Sequence, residues 1–138
     1  LHDCTKYWSL EEHVALCDKY GVALDPMERV TEKLLHSKTG AILARYVFGA
    51  DDEAYDAIFY HTTARANMSL AEKILYMADY IEPTRDFPGV EELRKTVYED
   101  LDRGLAMGLS MTVEEMHQRG NPVHSATLAA LKYLESQH

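Results

Sequence analysis

Cysteine and basic charge are scarce in this 138-residue chain, and long apolar runs are missing. The two cysteines, Cys4 and Cys17, make neither a CxxC pair nor a zinc-knuckle spacing. Neither a disulfide framework nor a structural zinc site is expected from this spacing, and free thiols in a reducing cytoplasm are the simplest setting. Lysine and arginine total 14 against 23 acidic residues, a formal charge of -9. Broad nucleic-acid or anionic-membrane binding needs a basic surface, which this balance does not supply. A small nucleotide remains possible, because a metal and a few cations can make one positive spot. No apolar run approaches the roughly 20 residues of a membrane-spanning helix. Walker, GxGxxG, HExxH and GxSxG motifs are all absent, which removes the P-loop, Rossmann, zincin and serine-hydrolase readings.

What is present suits one globular domain over residues 1–138, with 46% apolar and 27% charged residues. The pattern is helical throughout, with no strand alternation and no internal repeat. Ser9-Leu10-Glu11-Glu12 is a capping box, and the helix it opens should stop at Gly21. Asp25-Pro26 opens a second helix reaching toward His36, and the pattern continues from Ala41 to Gly49. Asp51 and Asp52 cap a third, carrying Ala54, Ala57, Ile58 and His61. A loop follows from Thr62 to Asn67. Ser69-Leu70-Ala71-Glu72 is a second capping box, opening a helix through Ile81 that Glu82-Pro83 stops. Phe87-Pro88-Gly89 is a turn. Val90 to about Met111 is helical, with a break expected near Gly104 or Gly108, and Thr112 to Gln118 continues or restarts it. Ser125 to Glu135 is the last helix. Met68, Met77, Met107 and Met111 fit core gap-filling.

Five residues stand out for chemistry. His2-Asp3 offers one metal an imidazole nitrogen and a carboxylate oxygen from adjacent positions. His36, His61 and Asp79 follow, and together the set reads as a metal-dependent phosphohydrolase site. Asp79 sits beside the apolar stripe of its helix, where a carboxylate needs a compensating cation or a capping role. His36 is placed near a helix start, where free N–H groups can take a phosphate, with Gly40 leaving room one turn on. His61 is placed at a helix C-terminus, where the dipole favours imidazole. His13, beside Glu11 and Glu12, and His117 are expected to be solvated. His124 lies in a loop entering the last helix, with Ser125 as its expected cap. Tyr7, Trp8 and Tyr46 are surface candidates for a homodimer contact.

The assembled set resembles the HD-domain phosphohydrolases, and most closely the YqeK family of symmetrical dinucleoside tetraphosphatases. The resemblance is carried by Leu1-His2-Asp3-Cys4-Thr5-Lys6, by His36-Ser37 with Gly40-Ala41, and by Tyr60-His61-Thr62-Thr63. Its longest stretch runs from Met68 through Ala78-Asp79-Tyr80-Ile81-Glu82-Pro83-Thr84-Arg85-Asp86-Phe87-Pro88-Gly89-Val90. It implies an all-α HD-domain helical bundle, and metal-dependent cleavage of diadenosine tetraphosphate into two ADP. It further implies that His2, Asp3 and Asp79 ligate iron or another divalent metal such as manganese. Asp3, His36 and His61 become the catalytic group, with His36 and His61 also able to hold a second metal. Lys6, Thr62 and Arg85 join them as contacts to the nucleotide phosphates. The loop Asn121, Pro122, Val123, His124, Ser125 and Ala126 matches the place where the family closes over the nucleotide. His124 departs there from a typically apolar or aromatic position. The family's first metal-binding histidine precedes the His-Asp pair, so an upstream helical segment of about 50 residues is expected beyond Leu1. Two other readings are a general HD nucleotidase or phosphodiesterase, and a nucleotide-sensing module with little turnover.

Overall fold

A computed structural model describes residues 2–137 of the chain. The described residues form helices and turns without a strand, as the periodicity predicts. They cluster into two compact units, divided between Thr62 and Thr63.

In the first unit, α1 (Leu10–Lys19) begins at the expected capping box, with Ser9 Oγ accepting from Glu12 N–H and Glu12 reaching back to Ser9 N–H. Gly21, in the left-handed region at φ +71°, follows its C-cap. The segment opened by Asp25-Pro26 differs from expectation. Asp25 Oδ1 accepts from Glu28 N–H, which closes only a 3-10 turn over Glu28–Val30. Thr31 is extended, so a new helix, α2 (Glu32–Tyr46), starts there and runs without interruption. His36 therefore lies in the second turn of α2 and not beside free helix-start N–H groups. α3 (Asp52–Phe59) is capped by Asp51, whose carboxylate accepts from Ala54 N–H. It ends before His61, which stands in the turn after the Tyr60 C-cap. α2 packs against both α1 and α3. The core of this unit is built on Cys17, Leu35 and Ile42, with Leu10, Val14, Val22 and Leu24 against them.

In the second unit, α4 (Leu70–Tyr80) starts at the Ser69–Glu72 capping box. α5 (Val90–Glu99) follows Gly89, and α6 (Leu101–Gln118) follows at once. The break between them falls at Asp100, which is extended and caps α6 by accepting from Arg103 N–H. It does not fall at Gly104 or Gly108. Both glycines are buried inside α6, and a Cβ on Gly104 would lie 2.7 Å from the Val97 Cα. Gly104 thus permits the close approach of α5 to α6 and does not end a helix. α7 (Ser125–Ser136) is capped by His124, whose Nδ1 accepts from Ala126 N–H, and not by Ser125. Met77, Tyr76, Leu93, Leu105, Leu109 and Leu134 fill the core, with Met68, Met107 and Met111 packed as expected. No helix among the described residues is long and apolar enough to cross a membrane.

Candidate metal centre

Four side chains named from the sequence meet in the first unit. His36 arrives from α2, His61 from the turn after α3, and His2 and Asp3 from the turn before α1. Asp3 Oδ1 lies 3.3 Å from His36 Nε2 and 3.4 Å from His61 Nε2. His2 Nε2 lies 3.5 Å from Asp3 Oδ2. The Nε2 atoms of His36 and His61 are 3.1 Å apart. The His2 and His61 rings meet edge to face at 5.0 Å. His61 is buried and His36 nearly so, while His2 and Asp3 open toward solvent with side chains 35% exposed. A ligand can therefore approach from the His2–Asp3 side.

Local backbone groups aim these rings. The 2.6 Å contact of His61 Nδ1 with the Ile58 carbonyl requires Nδ1–H as donor. That orients the ring and aims Nε2 at Asp3. Burial pushes the His36 imidazole down to about 4, with neighbouring His61 acting in the same sense and Asp3 against it. His36 is therefore a neutral nitrogen donor at physiological pH. For Asp3, burial pulls the carboxyl upward, but His2, His61, His36 and Lys6 outweigh it and hold it below its ordinary 3.8. The centre presents a neutral His36 imidazole beside an ionised carboxylate. That donor set fits a divalent first-row ion, since ligand atoms of His2, Asp3 and His61 all lie within 4.8 Å of one another.

Lys6 is exposed one turn from Asp3, its N–H bonded to the Asp3 carbonyl at 3.1 Å. Thr62 Oγ1 shares a 2.9 Å hydrogen bond with Ser37 Oγ, next to His36 in sequence. In the second unit, Asp79 and Arg85 face each other at 3.8 Å. The Arg85 loop is clamped by Arg94, which donates to the carbonyls of Ile81, Glu82 and Arg85 at 3.0, 2.9 and 2.8 Å. Of the Asn121–Ala126 segment, Ser125 and Ala126 belong to α7, and His124 Nδ1 is engaged in capping it. His117 is exposed, as expected. Tyr7 and Tyr46 are exposed too, while Trp8 is half-buried with its ring 6.0 Å from that of His13.

His13 corrects the sequence reading. It is fully buried, not solvated. Leu10, His13, Val14 and Cys17 follow the i, i+3, i+4, i+7 stripe that faces α2, and the acidic neighbours point elsewhere. The spacing carried that signal, and the adjacent glutamates masked it. Burial lowers the His13 pKa, opposed by Glu32 and Glu12, so the ring is neutral. Its Nδ1 lies 2.8 Å from Thr39 Oγ1. Cys4 is exposed, Cys17 is buried, and both are free.

No family model matches the chain, but individual proteins do. It is 36% identical over 136 residues to the symmetrical bis(5'-nucleosyl)-tetraphosphatase of Bacillus subtilis (strain 168), covering 98% of this chain and 73% of that one. The Staphylococcus aureus protein of the same name is 34% identical, covering 96% and 70%. The Halalkalibacterium halodurans one is 42% identical over 104 residues, and there the match takes in 75% of this chain but only 56% of the relative. A crystal structure of a predicted HD superfamily hydrolase involved in NAD metabolism, from Clostridium acetobutylicum, superposes with a TM-score of 0.95 at 43% identity. It covers 99% of this chain and 73% of its own. With the His-Asp pair and two further histidines gathered at one point, the chain belongs to the family of symmetrical bis(5'-nucleosyl)-tetraphosphatases, within the HD superfamily.

Proposed function

We propose that the protein hydrolyses diadenosine tetraphosphate symmetrically to two ADP, using iron or a similar divalent ion. The observation that carries this reading is the convergence of His2, Asp3, His36 and His61 on one point from three separate elements. His2, Asp3 and His61 would hold the ion, with His36 beside them. Asp79 enters through the sequence pattern of the family. When bound, the ion supplies Lewis acidity at a phosphoryl oxygen and at water.

The chain's own groups do the rest. Asp3, held ionised, accepts a hydrogen bond from the attacking water at Oδ1 or Oδ2 and orients it. Neutral His36 orients water through Nε2 without adding positive charge beside the other ligands. Lys6, exposed one turn from Asp3, is assigned to neutralise charge developing on the phosphate oxygens, and Arg85 is assigned the same task. Thr62 and the Asn121–Ala126 segment are assigned to nucleotide contact by resemblance.

Product identification tests the reading. Reduced, iron-loaded protein is incubated with diadenosine tetraphosphate. ADP as the only product supports symmetrical cleavage, whereas AMP with ATP refutes it.

A further inference from the structure

Thr5, Thr39 and His13 are completely buried next to the metal centre, and none of them offers it a ligand. Thr5 Oγ1 lies 2.9 Å from the His36 carbonyl oxygen and 2.6 Å from Thr39 Oγ1. Thr39 Oγ1 lies 2.8 Å from His13 Nδ1. At these separations two facing lone pairs repel, so each contact needs one hydrogen. The carbonyl has none, so Thr5 gives its hydrogen to His36. Thr39 must then give its own to Thr5, and His13 must carry a hydrogen on Nδ1 to serve Thr39. The Leu35 carbonyl, 3.2 Å from Thr39 Oγ1, is the weaker claimant.

Reversing the chain fails twice. It leaves the Thr5 and His36 oxygens facing each other without a hydrogen. It also puts the His13 hydrogen on Nε2, which is buried with no hydrogen-bond partner among the described residues. A buried donor without an acceptor is rare and costly. The donation therefore runs one way, from His13 through Thr39 and Thr5 to the backbone of His36.

The receiving end matters for the centre. Thr5 belongs to the turn that carries His2 and Asp3, closed by Lys6 N–H to the Asp3 carbonyl and Trp8 N–H to the Thr5 carbonyl. Its hydroxyl is a buried cross-link from that turn to α2, at the very residue whose Nε2 faces Asp3. We propose that Thr5 is a positioning residue, its hydroxyl aimed by the donor chain from His13 and holding the His2–Asp3 turn in register with His36. The proposal rests on reading the His2, Asp3, His36 and His61 cluster as the metal centre.

The test combines ring-nitrogen NMR of the wild type with two substitutions in the full chain. The His13 15N signals should show a protonated Nδ1 and a bare Nε2. Thr5→Val keeps the shape and removes the hydroxyl, and Thr5→Ser keeps the hydroxyl. Valine should weaken Mn2+ binding, read by titration calorimetry, by about 10–100-fold. It should lower kcat with little change in KM, and serine should restore most of both losses. A protonated Nε2 overturns the proposal. So does wild-type Mn2+ affinity in Thr5→Val, or equal impairment in valine and serine. If Thr5→Val does not fold, the wild-type tautomer still decides. If the wild type binds Mn2+ but does not cleave the dinucleotide, the substrate assignment fails, and the tautomer and the Mn2+ titrations judge Thr5 separately.

Discussion

Replacing Glu72 by glutamine should destabilise the protein by an amount that depends on pH in a defined direction. The Glu72 side chain is 1% exposed. It accepts from Arg65 Nε at 2.6 Å, Arg65 Nη2 at 3.0 Å and Ser69 N–H at 3.0 Å. Glutamine fits the same volume but offers one acceptor atom. Its amide nitrogen must face either Arg65 Nε–H or the pair formed by Arg65 Nη2–H and Ser69 N–H. At least one donor is then orphaned, at about 1–3 kcal/mol. Breaking a sealed ion pair costs about 3–5 kcal/mol, and Arg65, still 35% exposed, recovers part of that from water. A loss of about 2–3 kcal/mol at neutral pH follows.

The pH dependence adds a second check on Glu72. Burial raises the carboxyl, but the hydrogen bonds from Arg65 and Ser69 outweigh it and hold it below its ordinary 4.5. A depressed carboxyl stabilises fully above its unfolded value and loses that contribution as pH falls through the folded one. The gap between wild type and Glu72→Gln should therefore narrow in acid. Urea unfolding of both proteins from about pH 7 to about pH 3 measures it. A gap that stays constant over that range, or one under about 0.5 kcal/mol at neutral pH, refutes the reasoning.

Gly104→Ala should destabilise by about 1–3 kcal/mol, because the new Cβ meets the Val97 backbone at 2.7 Å. Gly108→Ala should instead stabilise by up to about 1 kcal/mol, since its Cβ finds Met77 Cε at 3.4 Å and gains helix propensity. Thermal melts separate the two. Arg94→Lys should raise KM for the dinucleotide more than it lowers kcat, because an ammonium cannot hold three carbonyls and the Arg85 loop loosens. Steady-state kinetics checks that split. Asp79→Ala should abolish metal binding and turnover together, and full retained activity, assayed beside a metal titration, would remove Asp79 from the site.

Features that need only neighbouring residues could be read from the chain alone. Both capping boxes, the Asp51 cap and the stop at Gly21 were legible, because each is closed by groups within a few positions. The pattern around His2-Asp3, His36 and His61 also named the four side chains that lie together in the first unit. Other features depended on partners that the pattern does not name. Whether Gly104 breaks a helix or admits a neighbour depends on Val97, seven residues earlier on a separate helix. Whether Asp25-Pro26 opens a long helix or a short turn depended on Thr31, a β-branched residue that is extended here and stands at the N-cap of α2. His13 was masked by charged neighbours in sequence, although its stripe position turned it toward α2. That the four ligand-type side chains meet, with buried Thr5, Thr39 and His13 behind them, emerges only on folding. Convergence from α2, the turn after α3 and the first turn is a property of packing. Hydrogen-bond direction across that packing follows from distances that exist only once the chain has folded.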